Sequence, residues 1–482
     1  MCVIRLDNVS FKYPRAKSYA LTAINLSVFE GEFLAVMGEN GAGKTTFCKL
    51  LNGIIPHLSG GQLSGTVTVD GADTVKSSVP QLALKVGMTL DDPDAQLFTS
   101  SVRYEAAFGP QNILLQPQEI EKRVDFALRA VGLAGFEDRA PSTLSGGEKQ
   151  RLAIAAALAM KGKVLVLDEP LCRLDTEGAQ EVMSVLNELR KNEKITIIMA
   201  MHESAKAVEF ADRVCVLKNG KIAALDTADN IFSNRDLLEN NGIQPVTGNS
   251  KNFLPQKVSC DNPVIDIKNL CFSYSNGSGI KNINLSIAEN DFIAIMGDNG
   301  CGKTTLLKCI TGLLRPCTGD IFIRGKNTKE LSISDISKEV GFVMQNPDTQ
   351  LFTDSVYKEA AFALKNLRLS KIEIKRRVES ALEIVGLNNA DAFPPALSRQ
   401  DRTKTLIACV LAMTCKIIIF DEVDVGNDYC GSLKIMNIAR ELHSKGFTII
   451  FITHNMGLAG DYAHRLIKME KDGIVFDGRR ED

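Results

Sequence analysis

The sequence has almost no net charge, no closely paired cysteines and no long apolar run, and each absence removes a class of function. Its 56 lysines and arginines face 58 acidic residues, for a formal net charge of −2 and a pI near 6.3. That balance offers no electrostatic footprint for a nucleic-acid backbone and no bulk attraction to an anionic membrane surface. Twelve cysteines are scattered without Cys-x-x-Cys spacing. The opening Met-Cys-Val-Ile-Arg lacks the charged, apolar and small-residue pattern of a signal sequence. The expectation is a reducing cytosolic setting with free thiols. Apolar runs such as 163–167 and 416–420 fall far short of the roughly 20 residues that span a bilayer. A membrane role would have to come through a partner.

What is present is a repeat. A chain of 482 residues would suggest about three domains at roughly 150 residues each, but one set of motifs occurs twice in the same order. The first half carries Gly38-Glu-Asn40-Gly41-Ala-Gly43-Lys44-Thr45-Thr46, then Leu144-Ser145-Gly146-Gly147-Glu148-Lys149-Gln150, then an apolar run into Asp168-Glu169, then His202. The second carries Gly297-Asp-Asn299-Gly300-Cys-Gly302-Lys303-Thr304-Thr305, then Leu397-Ser398-Arg399-Gln400-Asp401, then Asp421-Glu422, then His454. Equivalent positions lie roughly 250 to 260 residues apart, so a unit of about 240 residues is present in two copies.

The coarse pattern within each copy is alternating strand and helix. Residues 3–11 and 264–272 read as strands, 33–37 and 292–296 as strands running straight into the glycine loops, and helical periodicity resumes after the lysines. Residues from about Val102 to Val131 and Val356 to Val385 are amphipathic and helical in period, which predicts a separate helical subdomain. A buried strand enters Asp168-Glu169, a second strand over 195–199 ends near His202, and a hairpin follows at Asn219-Gly220. The expected fold class is α/β, a mostly parallel sheet covered on both faces. Domains are expected at 1–239 and 264–482, joined by a linker at 240–263 that is rich in turn residues and lacks periodicity.

A Gly-x-x-x-x-Gly-Lys-Thr loop between strand and helix lets successive backbone N–H groups converge on phosphate oxygens at a helix N-terminus. Lys44 and Lys303 would then reach the outer phosphates, and Thr45 and Thr304 would ligate Mg²⁺. Asp168 and Asp421 end apolar strands where a carboxylate can hold Mg²⁺ through water; Glu169 and Glu422 are placed to polarise an attacking water. Two of the five histidines, His202 and His454, follow equivalent strands, which suggests contacts to a γ-phosphate.

Ser-Gly-Gly-Glu-Lys-Gln between a glycine loop and an Asp-Glu strand end resembles the ATP-binding cassette ATPases, and the resemblance covers both halves. It implies tandem P-loop domains, each with a parallel core sheet, an antiparallel β subdomain and a helical signature subdomain. It also implies a head-to-tail pairing that sandwiches two ATP molecules, each held by one half's glycine loop and the other half's signature. Tyr13 and Tyr274 match the family's adenine-stacking aromatic, and the full loops Gly38, Asn40, Gly41, Gly43, Thr46 and Gly297, Asn299, Gly300, Gly302, Thr305 match its nucleotide cradle. Carried over residue by residue, the two sites are unequal. The site on Lys303, Thr304, Gln345, Asp421, Glu422 and His454 is completed by Ser145, Gly146 and Gly147, and Gln345 adds a ligand toward Mg²⁺. The site on Lys44, Thr45, Asp168, Glu169 and His202 receives Ser398, Arg399 and Gln400 instead, and has Asp91 in place of Gln345. One hydrolytic site and one site that mainly binds ATP are expected.

The segments Pro93-Asp94-Ala-Gln96-Leu-Phe-Thr and Pro347-Asp348-Thr-Gln350-Leu-Phe-Thr, followed by Glu-Ala-Ala-Phe, are similar to the ATPase components of energy-coupling factor importers for vitamins and metal ions. That resemblance implies a transmembrane coupling protein docked at this stretch, a membrane substrate-binding subunit, and a peripheral place on the cytoplasmic face of the membrane. The alternatives are a soluble twin-cassette ATPase acting on ribosomes or DNA, and a fused ATPase of a sugar importer. The first would be expected to carry a long charged linker or a basic arm; the second is disfavoured by two intact glycine loops and by the Pro-Asp-x-Gln element in both halves.

Overall fold

Short apolar runs with no polar interruption lead into each glycine loop, and a parallel sheet lying beneath helices is what buries such runs on both faces. In the computed structural model, which describes residues 1–172, 174, 176–246, 253–255, 262–275, 277–424, 427–471 and 473–481, the chain divides into two compact units, Met1–Val246 and Thr247–Asp482.

Among the described residues, the larger sheet of the first unit runs in the order Lys221–Thr227, Arg213–Lys218, Phe33–Met37, Thr196–Ala200, Val164–Asp168, Val86–Thr89. Every pairing is parallel except that of Lys221–Thr227 with its neighbour. Phe33–Met37, Val164–Asp168 and Thr196–Ala200 are buried along their whole length. The antiparallel edge closes through Asn219 and Gly220, with φ 50° and 74°, the pair of left-handed residues that a two-residue hairpin turn requires. An antiparallel sheet, Leu21–Phe29, Cys2–Lys12, Gln62–Val69, Ala72–Asp73, packs its inner face with Val36, Phe47 and Leu50. Three helices, Val102–Asn112, Pro117–Ala130 and Gly146–Ala159, form the helical subdomain, where Ala106, Val124 and Leu152 share one core.

The second unit repeats this plan. Its larger sheet runs Phe253–Pro255, Gly473–Arg480, Arg465–Glu470, Phe292–Gly297, Thr448–Ile452, Ile417–Asp421, Val340–Val343, and its antiparallel sheet Gly279–Ile287, Ile265–Ser273, Thr318–Ile323, Lys326–Asn327. The helices Val356–Asn366, Lys371–Val385 and Arg399–Ala412 correspond to the three above.

The 102–131 stretch, expected to be helical, forms two helices that part near Leu114, with φ 57°. Within the stretch expected as linker, 240–263, Asn241 and Ile243 are buried in the first unit, and Phe253–Pro255 pairs antiparallel with Gly473–Arg480. Residues 247–252 and 256–261 lie outside the described residues. The described cysteines are all free thiols, and no described helix is long and apolar enough to cross a membrane.

Candidate functional site

The strand Phe33–Met37 stops at Gly38 because the chain must turn sharply there. Its φ is 143°, and a Cβ at this position would run into the Leu217 carbonyl oxygen of the adjacent strand. Gly41 at φ 81° and Gly43 at φ 109° complete a loop in a conformation that side chains resist, and Gly43 caps the helix Lys44–Leu51. The second unit repeats this with Gly297, Gly300 and Gly302 at φ 153°, 78° and 104° before the helix Lys303–Ile310. Each loop therefore presents backbone N–H groups at a helix start, the arrangement that binds phosphate. The Lys44 ammonium is buried and donates to the carbonyls of Gly38 at 3.0 Å and Glu39 at 3.4 Å. Lys303 donates to Gly297 at 2.7 Å and Asp298 at 3.0 Å. Both lysines close over their own loops. Asn40 and Asn299 sit within these loops, beside the glycines.

At the end of the neighbouring parallel strand, each unit brings a carboxylate pair to the same place. Both carboxylate oxygens of Asp168 are buried, with the Thr45 hydroxyl beside them. Burial pushes this group up to about 6; the Thr45 hydroxyl works against that, and the charges of Glu169 and Asp91 add to it. Asp421 is also raised to about 6, by burial and then by Glu422, with Thr304 Oγ1 donating to its Oδ1 at 3.2 Å in opposition. A buried carboxylate beside a threonine hydroxyl is a hard oxygen donor set, and it fits Mg²⁺.

The glutamates that follow are held differently. Glu169 and Glu422 both adopt φ 48°, a left-handed conformation costly for a residue with a side chain. His202 Nε2 lies 3.0 Å from Glu169 Oε1 and 3.2 Å from Lys44 Nζ, and Lys44 is 3.4 Å from Glu169. Burial alone would raise Glu169, but His202 and Lys44 outweigh it and bring it to about 2. In the second unit His454 Nε2 is 3.2 Å from Glu422 Oε1, Lys303 is 3.9 Å away, and Gln345 Nε2 donates to Glu422 Oε2 at 2.9 Å. Glu422 is lowered as well: burial is opposed first by His454 and then by Lys303. Both glutamates are ionised acceptors at neutral pH. Gln345 turns its amide toward Glu422, and the first unit has Asp91 in its place.

Tyr13 and Tyr274 stand against the glycine-loop helices. Tyr13 Oη is 3.2 Å from Thr46 Oγ1 and Tyr274 Oη is 3.4 Å from Thr305 Oγ1, and each ring meets the edge of a phenylalanine, Phe11 or Phe272, at 4.8 Å. At the signature, Ser145 caps the helix Gly146–Ala159 by accepting from Glu148 N at 3.2 Å, and Glu148 accepts from Ser145 N at 2.7 Å. A Cβ at Gly147 would meet only Leu174 Cδ2, at an ordinary 3.4 Å. Ser398 caps Arg399–Ala412 in the same way through Asp401 N at 3.1 Å, and Arg399 donates to the Gln345 carbonyl at 3.2 Å.

A sequence model of the family described as ABC transporter matches residues 21–172 and 280–424. This chain belongs to the ABC transporter family. Two relatives, both with provisional names that read ABC transporter ATP-binding protein, align over nearly the whole chain. One from Caldanaerobacter subterraneus subsp. tengcongensis is 36% identical over 99% of this chain and 92% of its own length. One from Methanosarcina mazei is 37% identical over 98% of this chain and 95% of its own length. Among solved structures, cbiO1 of Clostridium perfringens, described as part of the ABC transporter complex cbiONQ, is 32% identical over 45% of this chain and 89% of its own, with a TM-score of 0.43.

The chain is thus a pair of tandem ABC ATPase domains, each with a parallel core sheet, an antiparallel β subdomain and a helical signature subdomain, and family membership implies ATP binding and hydrolysis. Within each ABC unit the glycine-loop lysine, the glutamate of the Asp-Glu strand end and the histidine lie together. The Pro-Asp-x-Gln element also has a local role that its sequence did not disclose. Gln96 accepts from Leu90 N at 3.0 Å, Asp94 pairs with Lys149 of the signature helix at 2.6 Å, and the buried Glu105 accepts from Phe98 N and Thr99 N at 3.1 and 2.8 Å. Gln350, Asp348 with Arg402, and Glu359 repeat all three. The sequence showed only that these residues recur in both halves.

Proposed function

We propose that this ABC ATPase is the energising subunit of a membrane importer, of the energy-coupling factor type for a vitamin, metal ion or other micronutrient. One consensus hydrolytic site and one degenerate, mainly ATP-binding site would power it. The observation that carries the second clause is the asymmetry of the signatures: Ser145-Gly146-Gly147 in one half, Ser398-Arg399-Gln400 in the other, with both glycine loops intact. In a head-to-tail pairing of the halves, the motifs of the second unit would receive the glycine signature. Lys303 would bind the outer phosphates, Thr304 and Asp421 would hold Mg²⁺ with Gln345 alongside, and Tyr274 would stack on adenine. Glu422, ionised and oriented by His454, would accept a proton from the attacking water. Bound Mg²⁺ would supply positive charge to the transferring phosphoryl oxygens. The site on Lys44, Thr45, Thr46, Asp168, Glu169, His202 and Tyr13 would receive Ser398, Arg399 and Gln400, and the last two side chains would stand where close backbone donors are needed. Loss of one preorganised donor of this kind costs on the order of 10² to 10³ in rate.

Support for a membrane partner comes from the Pro-Asp-x-Gln-Leu-Phe-Thr segments, which leave Phe98, Phe108, Phe352 and Phe362 exposed. In the helical subdomain that carries Phe108, a cleft of about 530 Å³ is lined by Tyr104, Leu114, Leu115 and Ile120. A transmembrane coupling protein would dock there, with a membrane substrate-binding subunit, and the chain would sit peripherally on the cytoplasmic face.

Paired substitution tests the unequal sites. Glu422→Gln should abolish steady-state ATP turnover and Glu169→Gln should leave most of it; equal losses would refute the assignment. Affinity purification from detergent-solubilised host membranes tests the partner, where a stoichiometric polytopic protein is the expected result and ribosomal or DNA-repair proteins the opposing one.

A further inference from the structure

Between the segments that carry Glu422 and His454 the second unit has a partly buried polar contact where the first unit has apolar residues. Thr453 Oγ1 donates to Asp424 Oδ2 at 2.5 Å and accepts from the backbone N–H of Asn455 at 2.9 Å. Thr453 is buried, and burial raises the Asp424 carboxyl to about 6, with Thr453 opposing and the charge of Glu422 adding to it. Aligning Asp168-Glu169-Pro-Leu171 with Asp421-Glu422-Val-Asp424, and Met201-His202 with Thr453-His454, gives the counterparts Leu171 and Met201. Both are buried apolar residues.

A carboxyl even partly withdrawn from water is costly to keep unless it is hydrogen-bonded, and the matching positions in the first unit carry two buried apolar side chains. Packing alone therefore does not call for an acid here. The contact joins two short segments, each carrying one member of the Glu–His pair. Asp424 follows Glu422 closely, and Thr453 immediately precedes His454 while also accepting from the residue after it. Glu169 reaches the same φ 48° without such a contact, so the contact bears on how the two segments are tied together and not on that backbone angle.

We propose that Asp424 and Thr453 are positioning residues that lock the Glu422 segment to the His454 segment and so fix the carboxylate for the attacking water, in the second unit alone. This rests on the reading that Glu422 serves the hydrolytic site.

The test uses the full chain and Mg²⁺-ATP. Asp424→Leu combined with Thr453→Met installs the apolar pair of the first unit. It should lower kcat on the order of tenfold or more, leave KM and the affinity for a fluorescent ATP analogue within about twofold, and leave the unfolding midpoint no lower. Asp424→Asn keeps an acceptor oxygen for Thr453 and should retain most of kcat, whereas Thr453→Val should lose it. A purely structural contact would move the midpoint and spare kcat. If Glu422→Gln abolishes turnover while the double variant keeps wild-type kcat, the positioning role is overturned and the site assignment stands. If Glu422→Gln leaves turnover intact, the site assignment itself falls. Should the double variant not fold, wild-type kcat in Thr453→Val would overturn the role by itself.

Discussion

Replacing Asp421 or Asp168 by Asn should stabilise the nucleotide-free protein while removing its response to Mg²⁺-ATP. Both carboxyls sit at about 6 rather than the ordinary 3.8, chiefly because burial disfavours their charged form. For a group raised in this way, the stabilisation belongs to the protonated form: it is fully present below pH 3.8 and is lost as pH rises through 6. The displacement corresponds to about 3 kcal/mol per carboxyl at pH 7. An amide in the same place still wants hydrogen bonds, so a net gain of about 1–2 kcal/mol is expected for Asn. At pH 4.5 the wild-type group recovers about 2 kcal/mol of its penalty, and the advantage of the variant should vanish. Urea unfolding with EDTA at both pH values measures this. Mg²⁺-ATP should then raise the wild-type midpoint and raise that of the variants far less. A variant less stable than wild type by the same amount at pH 7 and pH 4.5 would refute the reasoning, because its carboxyl would have been a hydrogen-bonding partner rather than a charge held for a cation.

Other substitutions separate fold from chemistry. Gly38→Ala should prevent folding of the first unit, since its Cβ would strike the Leu217 carbonyl; soluble expression and circular dichroism would report this. Glu105→Ala leaves the amides of Phe98 and Thr99 without their acceptor and should cost about 1–3 kcal/mol in urea unfolding. Asp94→Lys and Lys149→Asp should each cost less than about 1 kcal/mol, with the double exchange restoring the loss, because a partly exposed ion pair contributes little. Arg465→Met removes a guanidinium bonded to Asp477 at 2.6 and 2.7 Å and one of the two arginines beside Asp291, with Arg479 remaining at 3.4 Å, so a loss of about 1–3 kcal/mol is expected.

What could be read from the residues was local. The glycine loops announce themselves because only glycine relaxes at φ values such as 109° and 81°, and fully apolar strands of five residues announce a sheet buried on both faces. Boundaries slipped where a side chain took a tertiary job: the strand expected over 195–199 begins at Thr196, whose hydroxyl accepts from Gly31 N at 3.1 Å. Long-range pairings were invisible. Arg465, only 1% exposed, lies in a sequence that reads as an ordinary strand end, and its partners Asp291 and Asp477 belong to separate segments. Asp424 and Thr453 departed from the first half at two distant positions, and neither departure carries meaning until the two side chains are seen to touch. The Glu-Ala-Ala-Phe repeat was legible as a motif, but the capping role of its glutamate was not.

The two signature helices begin differently. Each is capped by a serine, after which the first has two glycines where the second has Arg399 and Gln400. Ser145 and Glu148 cap each other reciprocally, side chain to backbone in both directions, whereas the Ser398 hydroxyl accepts from Asp401 N and gives its own hydrogen to the Asp401 carboxylate. The intact signature thus has a first turn bare of side chains and held by its cap, so the amide hydrogen of Ser145 should exchange more slowly than that of Ser398.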